Sequence, residues 1–214
     1  DRCWECHPDA KDSKRPFCEK HFLYQDECIY CSSSVELNEE KEESIKKHKP
    51  ILLLFEMNNC GGCKKLAATT FQDSKVVDEM NEWFVLLKLD LIKDKEVRRS
   101  LGAYWTPAIY FLDSNGNSYY HFNGYLPANE FRAMLRLGIA ETIMPRGKYD
   151  DIINIIDKDI DELTKTSFYP KLLVARETAR YIKIKDNSQL RKTLKELQNS
   201  HSQSTEAKMY FWDE

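Results

Sequence analysis

Cys60 and Cys63, in the stretch Cys-Gly-Gly-Cys, are the residues of this chain best suited to chemistry. An apolar run at 51–55 precedes them and a helix-like segment at 64–70 follows, so a buried strand would carry the pair to the start of a helix. Unpaired backbone N–H groups and the helix dipole favour a thiolate there. We therefore expect Cys60 to attack a substrate disulfide and Cys63, one turn later, to resolve the mixed disulfide.

The same spacing also supplies half of a tetrahedral zinc–thiolate site. The surrounding pattern favours the redox interpretation. From about residue 39 to 137 the chain reads in order as helix, strand with the two thiols, helix, strand, helix, Thr-Pro, strand, turn, strand and helix. This order predicts an α/β unit in which a sheet positions the thiols and helices cover it.

This order, with Thr106-Pro107 before a strand and Gly124 after the last one, resembles the thioredoxin-like superfamily of the thiol–disulfide interchange type. The resemblance implies a thioredoxin fold, a central mixed sheet flanked by helices. It implies an enzyme, a protein-disulfide oxidoreductase whose partners are protein dithiols or disulfides and a reductase or oxidant. It also places a cis-proline at Pro107 beside the thiols, where the Thr106 backbone would pair with an extended substrate bordered by Trp105.

Two features of the sequence depart from that family's pattern: the residue at position 54 and the pair between the thiols. The family's buried acid falls by spacing on Leu54, so Glu56 or water would have to take the proton of the resolving thiol. Lys88 lies where the family often carries a lysine near the second cysteine. Gly61-Gly62 replaces the usual residues between the thiols, which leaves open whether the centre reduces or oxidises its substrates.

Residues 1–37 predict a separate cysteine-rich, metal-binding module. Three ligand-type pairs lie in a segment too short to fold on hydrophobic burial, and a structural Zn²⁺ is the usual substitute. Two overlapping sets of four ligands are compatible with the spacing. The candidate ligands are Cys3, Cys6, Cys18, His21, Cys28 and Cys31.

Two alternatives stay open for this module. Cys3, Cys6 and His7 form a Cys-x-x-Cys-His motif, which attaches c-type haem and would make the protein an electron carrier. A disulfide-linked module is the other, although seven cysteines would leave one thiol unpaired. Zinc would favour a cytoplasmic location, and haem a periplasmic or exported one.

Residues 138–214 predict an all-helical extension to a thioredoxin-like domain at 38–137, and Ser32-Ser33-Ser34 predict a loop before that domain. Turns near Gly147 and Lys185 resemble those of degenerate tetratricopeptide repeats, whose helices would bind a protein partner or a second copy of the chain. The helices would otherwise simply cover the thioredoxin-like core. A rival function follows, a partner-binding scaffold that uses the zinc module and these helices.

Composition excludes some classes of partner. The 214 residues carry a net charge of −3, which predicts no binding of nucleic acid. No apolar run approaches the roughly 20 residues needed to cross a bilayer, so no membrane span is expected.

Overall fold

The computed structural model describes the backbone of residues 17–18, 23–24 and 29–209, and the side chains of residues 37–209. Within these ranges the main sheet has four strands in the order β4-β3-β5-β6. Strand β3 (Ile51–Glu56) runs parallel to β4 (Val85–Asp90) and antiparallel to β5 (Ala108–Leu112), which pairs antiparallel with β6 (Ser118–Asn123). A separate antiparallel pair joins β1 (Phe17–Cys18) and β2 (Leu23–Tyr24). The expected mixed sheet is confirmed.

Helices cover both faces of this sheet. Along β3, Ile51, Leu53 and Phe55 point into one apolar layer, together with residues of α4 (Lys95–Leu101) and Leu37 of α1 (Ile29–Lys47). Leu52 points into the other layer, which α3 (Ser74–Trp83) and α5 (Ala128–Ile143) cover. Strand β3 is apolar from Ile51 to Phe55 because both of its faces are covered there, as expected for a central strand.

Two details of the predicted elements were wrong. Helix α1 begins at Ile29 and runs through the three serines, where a loop was expected; serine costs a helix under about 1 kcal/mol, which the rest of a long helix can offset. The single helix expected after the thiols is two, α2 (Gly61–Ala68) and α3, separated by a 3₁₀ turn at Thr70–Gln72. Asp73 starts α3 by accepting a hydrogen bond from the Val76 N–H at 3.1 Å.

The chain after α5 is helical, as expected. It contains α6 (Tyr149–Asp157), α7 (Tyr169–Ile184) and α8 (Ser188–Ser200), with 3₁₀ turns at Met144–Arg146, Ile160–Leu163 and Glu206–Lys208. Gly147 and Lys185 take left-handed conformations at the two predicted turns, with φ of 72° and 61°. Ile152, Ile156 and Leu172 are buried in the same apolar layer as α5. The tetratricopeptide assignment and binding through these helices stay predictions.

A buried cluster of charges crosses this layer. Glu79 of α3 lies between Arg132 and Arg136 of α5, at 2.8 Å from the Arg132 Nε and 2.7 Å from an Arg136 nitrogen. Both arginine side chains are at most 2% exposed. Arg132 also donates to Glu162 at 2.5 Å, and Arg136 to the backbone oxygen of Lys158 at 3.0 Å. The cluster therefore joins the segment after α6 to the helices that cover the sheet.

None of the helices within the described ranges is both long and apolar enough to span a bilayer.

Candidate redox site

The two thiols lie at the start of α2, which follows β3 after a short turn. Cys60 is the N-cap residue of α2, and it forms a disulfide with Cys63 in the first turn of the same helix. The Cys63 N–H donates to the Cys60 Sγ at 3.0 Å, and the Lys64 N–H to the Cys60 carbonyl oxygen at 3.1 Å. A sulfur that accepts a backbone N–H at a helix start is stabilised when it carries negative charge. The arrangement therefore favours Cys60 as the thiolate of the reduced pair.

The two sulfur-bearing residues differ in access. Cys60 is only 5% exposed, whereas Cys63 is partly exposed. In this oxidised state the half of the disulfide that solvent reaches more easily is therefore Cys63.

Pro107 lies against the Cys-Gly-Gly-Cys turn. The Thr106-Pro107 peptide bond is cis, as the resemblance implied. A Cβ atom placed on Gly62 would lie 2.8 Å from the Pro107 Cδ, so the turn and the proline are in direct contact. The Gly124 N–H donates to the Pro107 carbonyl oxygen at 2.8 Å, which anchors this loop to the chain after β6.

The residues before Pro107 present an exposed aromatic surface. Thr106 is half-buried, and no residue in the described ranges hydrogen-bonds to its backbone. Trp105 is 58% exposed and Tyr104 is 80% exposed. Sequence reasoning singled out Trp105 and missed Tyr104, although its position next to Trp105 was a usable signal. Large aromatic side chains left in water beside a reactive centre are typical of a docking surface.

Glu56 and Lys88 lie together at the same end of the sheet. Their side chains form an ion pair at 2.8 Å and are 37% and 64% exposed, respectively. Lys88 is the register partner of Leu54, so Leu54, Glu56 and Lys88 share one face of the sheet. Leu54 and Lys88 also line a cavity of about 180 Å³ whose other walls are apolar, among them Met80 and Phe131. The position of the family's buried acid is therefore apolar here.

The other carboxylates at this end of the sheet are engaged by backbone. Asp90 accepts hydrogen bonds from the Ile92 and Lys93 N–H groups at 2.8 and 3.0 Å. Asp94 accepts from the Asp90 N–H at 2.6 Å, and burial raises the pKa of the Asp94 carboxyl above its ordinary value. Among these three acids, Glu56 alone pairs with a side chain and accepts no hydrogen bond from a backbone N–H within the described part of the chain. Glu56 is therefore the one of these three carboxylates whose oxygens are not held by backbone N–H groups.

The predicted metal and haem ligands lie outside the described side chains. Cys3, Cys6, His7, His21 and Cys28 are outside the described residues altogether, and Cys18 and Cys31 are described by backbone alone. Across side chains 37–209 no group of three or more His, Cys, Asp or Glu residues is arranged to hold a metal ion. The alternative of Cys60 and Cys63 as half of a zinc site thus finds no further ligands among these side chains.

Comparisons with known proteins give one family match and several similar solved structures. Residues 37–139 match a family model described as a thioredoxin-like domain. Similar solved structures include a candidate disulphide-isomerase from Bacteroides thetaiotaomicron, 31% identical over 47% of this chain and 85% of that one, with a TM-score of 0.44. A thioredoxin from Thermus thermophilus is 18% identical over 51% of this chain and 88% of that one, with a TM-score of 0.45.

The reduced C-terminal domain of DsbD from Neisseria meningitidis is 20% identical over 49% of this chain and 96% of that one, with a TM-score of 0.44. No curated protein matches the chain. The family match, the mixed sheet and the disulfide define the class: residues 37–139 are a thioredoxin-like domain with a Cys60–Cys63 disulfide.

Proposed function

We propose that this protein is a thiol–disulfide oxidoreductase that exchanges disulfides with protein substrates through Cys60 and Cys63. The observation that carries the proposal is the Cys63 N–H bond to the Cys60 Sγ at the start of α2, within a disulfide that closes between the same two residues. Cys60 is the nucleophile and Cys63 the resolving thiol. The thioredoxin-like domain supports this chemistry but does not by itself require it.

In the reducing direction, the Cys60 thiolate attacks one sulfur of a substrate disulfide. A Cys60–substrate bond forms, the substrate S–S bond breaks, and its second sulfur leaves as a thiolate. Cys63 then loses its proton and attacks the Cys60 Sγ, which releases the first substrate sulfur. The substrate gains two electrons, the protein dithiol loses two, and a partner dithiol restores the reduced state. Oxidation of a substrate dithiol is the same sequence reversed, with a partner disulfide as the oxidant.

Glu56 is the proposed acceptor of the Cys63 proton, with Lys88 holding its charge. The 2.8 Å pair keeps the Glu56 carboxylate on the sheet face that it shares with Leu54. Asp90, its register partner on that face, already accepts two backbone N–H groups. Glu56→Gln should slow resolution of the mixed disulfide and leave its formation unchanged. Rapid-quench measurement of both steps tests this, with Glu82→Gln as a control because Glu82 pairs with Lys158, a residue beyond the family match. Equal resolution rates in the two variants would make water the acceptor.

Trp105, Thr106 and Pro107 form the proposed substrate surface. The exposed Trp105 ring gives apolar contact, and the free Thr106 backbone accepts and donates hydrogen bonds to an extended substrate segment. Trp105→Ala should raise the KM for a peptide disulfide with little change in kcat, because the ring touches the substrate but takes no part in bond exchange.

The central experiment traps the mixed disulfide. The reduced Cys63→Ser variant should accumulate a covalent adduct at Cys60 with a disulfide-containing substrate, whose second sulfur leaves as a thiolate, and Cys60→Ser should not. Both variants should lose turnover in an insulin-reduction assay, which the partner-binding scaffold hypothesis does not predict. An adduct that forms only in Cys60→Ser would reverse the roles, as the greater exposure of Cys63 allows. Full turnover in both variants would end the oxidoreductase proposal.

We further propose that residues 1–37 hold a structural Zn²⁺ through four of the six candidate ligands Cys3, Cys6, Cys18, His21, Cys28 and Cys31. The support is the sequence spacing alone. Metal analysis should find one zinc per chain, and a visible spectrum without a Soret band should exclude haem at Cys3, Cys6 and His7. A Soret band that survives denaturation would replace zinc by covalent haem.

A further inference from the structure

A second cavity lies at the end of the sheet far from the disulfide. Pro50, which precedes β3, and Ser114, which follows β5, both line it. Cys60 lies beyond the other end of β3, and six strand residues at ~3.3 Å each separate the two sites by about 20 Å. The cavity has a volume of about 380 Å³. At the ~30 Å³ that one water molecule occupies, this is room for roughly a dozen non-hydrogen atoms.

The floor of this cavity is apolar. Trp83, Ile139 and Ile143 line it and are 6%, 5% and 9% exposed, and Ile155 of α6 closes one side. These residues belong to the apolar layer between the sheet and the C-terminal helices. An occupant would therefore bury its body against side chains that already exclude water, which favours a hydrocarbon group.

The rim carries cations with little to neutralise them. Arg146 and Lys148 both line the cavity and are exposed. The described partner of Arg146 is Asp113, at 3.5 Å, a distance too long for a good hydrogen bond. Asp113 already accepts the Asn115 and Asn117 N–H groups at 2.8 and 2.9 Å, and these bonds and Arg146 lower the pKa of its carboxyl against the effect of burial. The guanidinium therefore keeps most of its donors available.

Lys148 has no ion pair with any residue in the described ranges, and neither has Asp151, the acid that shares the rim. The neighbouring acid Asp150 forms an ion pair with Lys183 at 2.5 Å. The cavity lining contains two cations, Arg146 and Lys148, and one carboxylate, Asp151, while Asp113, the partner of Arg146, does not line the cavity and is 3% exposed. His48, at the rim, takes a left-handed backbone with φ of 55° because it ends α1, and the Lys49 N–H donates to the Ser44 carbonyl oxygen at 3.2 Å.

We propose that this cavity binds an organic monocarboxylate with an apolar body of about ten carbon atoms. The carboxylate lies between Arg146 and Lys148, where charge-assisted hydrogen bonds from the guanidinium and the ammonium replace its water. The hydrocarbon lies on Trp83 and the three isoleucines. The proposal does not depend on the redox chemistry, because the site uses none of its residues.

Decanoate, decanol and decylammonium share one tail and differ in head-group charge, so they test the proposal on the full-length protein. Titration calorimetry should show decanoate binding at least tenfold more tightly than decanol, and decylammonium not at all. In methyl NMR spectra, decanoate should shift the resonances of Ile139, Ile143 and Ile155. The Leu54 methyl groups, which line the separate apolar cavity beside β3, should not move.

Single variants distinguish specific binding in this cavity from nonspecific hydrophobic binding. Arg146→Gln and Lys148→Gln should each weaken decanoate binding about tenfold and leave decanol unchanged. Lys195→Gln is the matched control, since Lys195 is exposed on α8 and does not line the cavity. Equal affinity for the three decyl compounds, shifts centred on Leu54, or full decanoate binding by both rim variants would overturn the proposal.

Discussion

A Cβ atom on Gly62 would lie 2.8 Å from the Cδ of Pro107, whereas the same atom on Gly61 would meet nothing within 4 Å. The two glycines between the thiols are therefore not equivalent. Gly61 faces open space, and Gly62 lets the first turn of α2 approach the proline that borders the redox pair. Sequence reasoning treated both glycines alike, as replacements for the residues usually found between the thiols. In the structure Gly62 lies against Pro107, and Gly61 does not.

Gly62→Ala should destabilise the protein by about 1–3 kcal/mol and slow insulin reduction, because a rigid proline ring cannot move aside as a flexible side chain would. Gly61→Ala should be neutral or stabilising by up to about 1 kcal/mol, since alanine favours the helix. Urea denaturation of the oxidised proteins and the insulin assay measure both effects. Indistinguishable variants would mean that the turn relaxes freely away from Pro107.

Glu79→Gln should cost about 3–5 kcal/mol of unfolding free energy, because it leaves two buried guanidinium groups without their shared carboxylate. Glu82→Gln, on the same helix, removes a partner of Lys158 from an ion pair whose side chains are 48% and 54% exposed, and should cost less than about 1 kcal/mol. Urea midpoints and slopes of the two variants give the comparison. Similar losses of unfolding free energy would show that the buried ion pairs contribute little to stability or that water reaches them.

Stability should fall in acid partly through Glu162. Hydrogen bonds from Lys75 and Arg132 lower the pKa of the Glu162 carboxyl from 4.5 to about 2. A lowered folded-state pKa gives stability that is present above pH 4.5 and is lost as the pH falls towards about 2. Unfolding free energy measured from pH 6 down to about 2.5 should therefore drop less steeply in Glu162→Gln than in the parent. Glu196→Gln, whose carboxylate lies 3.9 Å from Lys192, should keep the parental slope.

Gly138→Ala should destabilise the protein although alanine is the better helix former. A Cβ atom there would lie 2.3 Å from the Phe111 ring, so α5 would have to move away from β5 at a cost of about 1–3 kcal/mol. Combining it with Phe111→Leu should cost less than the sum of the two single changes, because the smaller side chain makes room. Additive losses in that double-mutant cycle would place the strain elsewhere.

Apart from the division of the helix after the thiols into α2 and α3, the order of elements from α1 to β6 could be predicted because each depends on local signals. Apolar runs mark β3 and β5, the Asp113 to Asn117 turn marks the hairpin, and Thr106-Pro107 marks the loop beside the thiols. The thiols themselves could be found by spacing alone. These features need no knowledge of what packs against them.

The buried charges could not be predicted. Glu79, Arg132 and Arg136 look like solvent-facing residues of amphipathic helices, because charged side chains are rarely buried unless they are paired. Their pairing spans 53 and 57 positions along the chain, which no periodicity reveals. The cavity at the far end of the sheet could not be predicted for the same reason, because residues of α1, α3, α5 and α6 together line it. Arg146 and Lys148 were interpreted only as part of a turn.

The Arg132–Glu162 and Arg136–Lys158 bonds connect the part of the chain that matches the family model to the segment that follows it. The family match stops at residue 139, yet both arginines inside it are completed by residues beyond position 157. A recombinant fragment trimmed to the matched region would keep two cations with a single acid between them and would uncover the apolar side of α5. A fragment expressed for biochemistry should therefore extend at least to Glu162, the residue that completes the buried charge cluster. That is some twenty residues beyond the end of the family match.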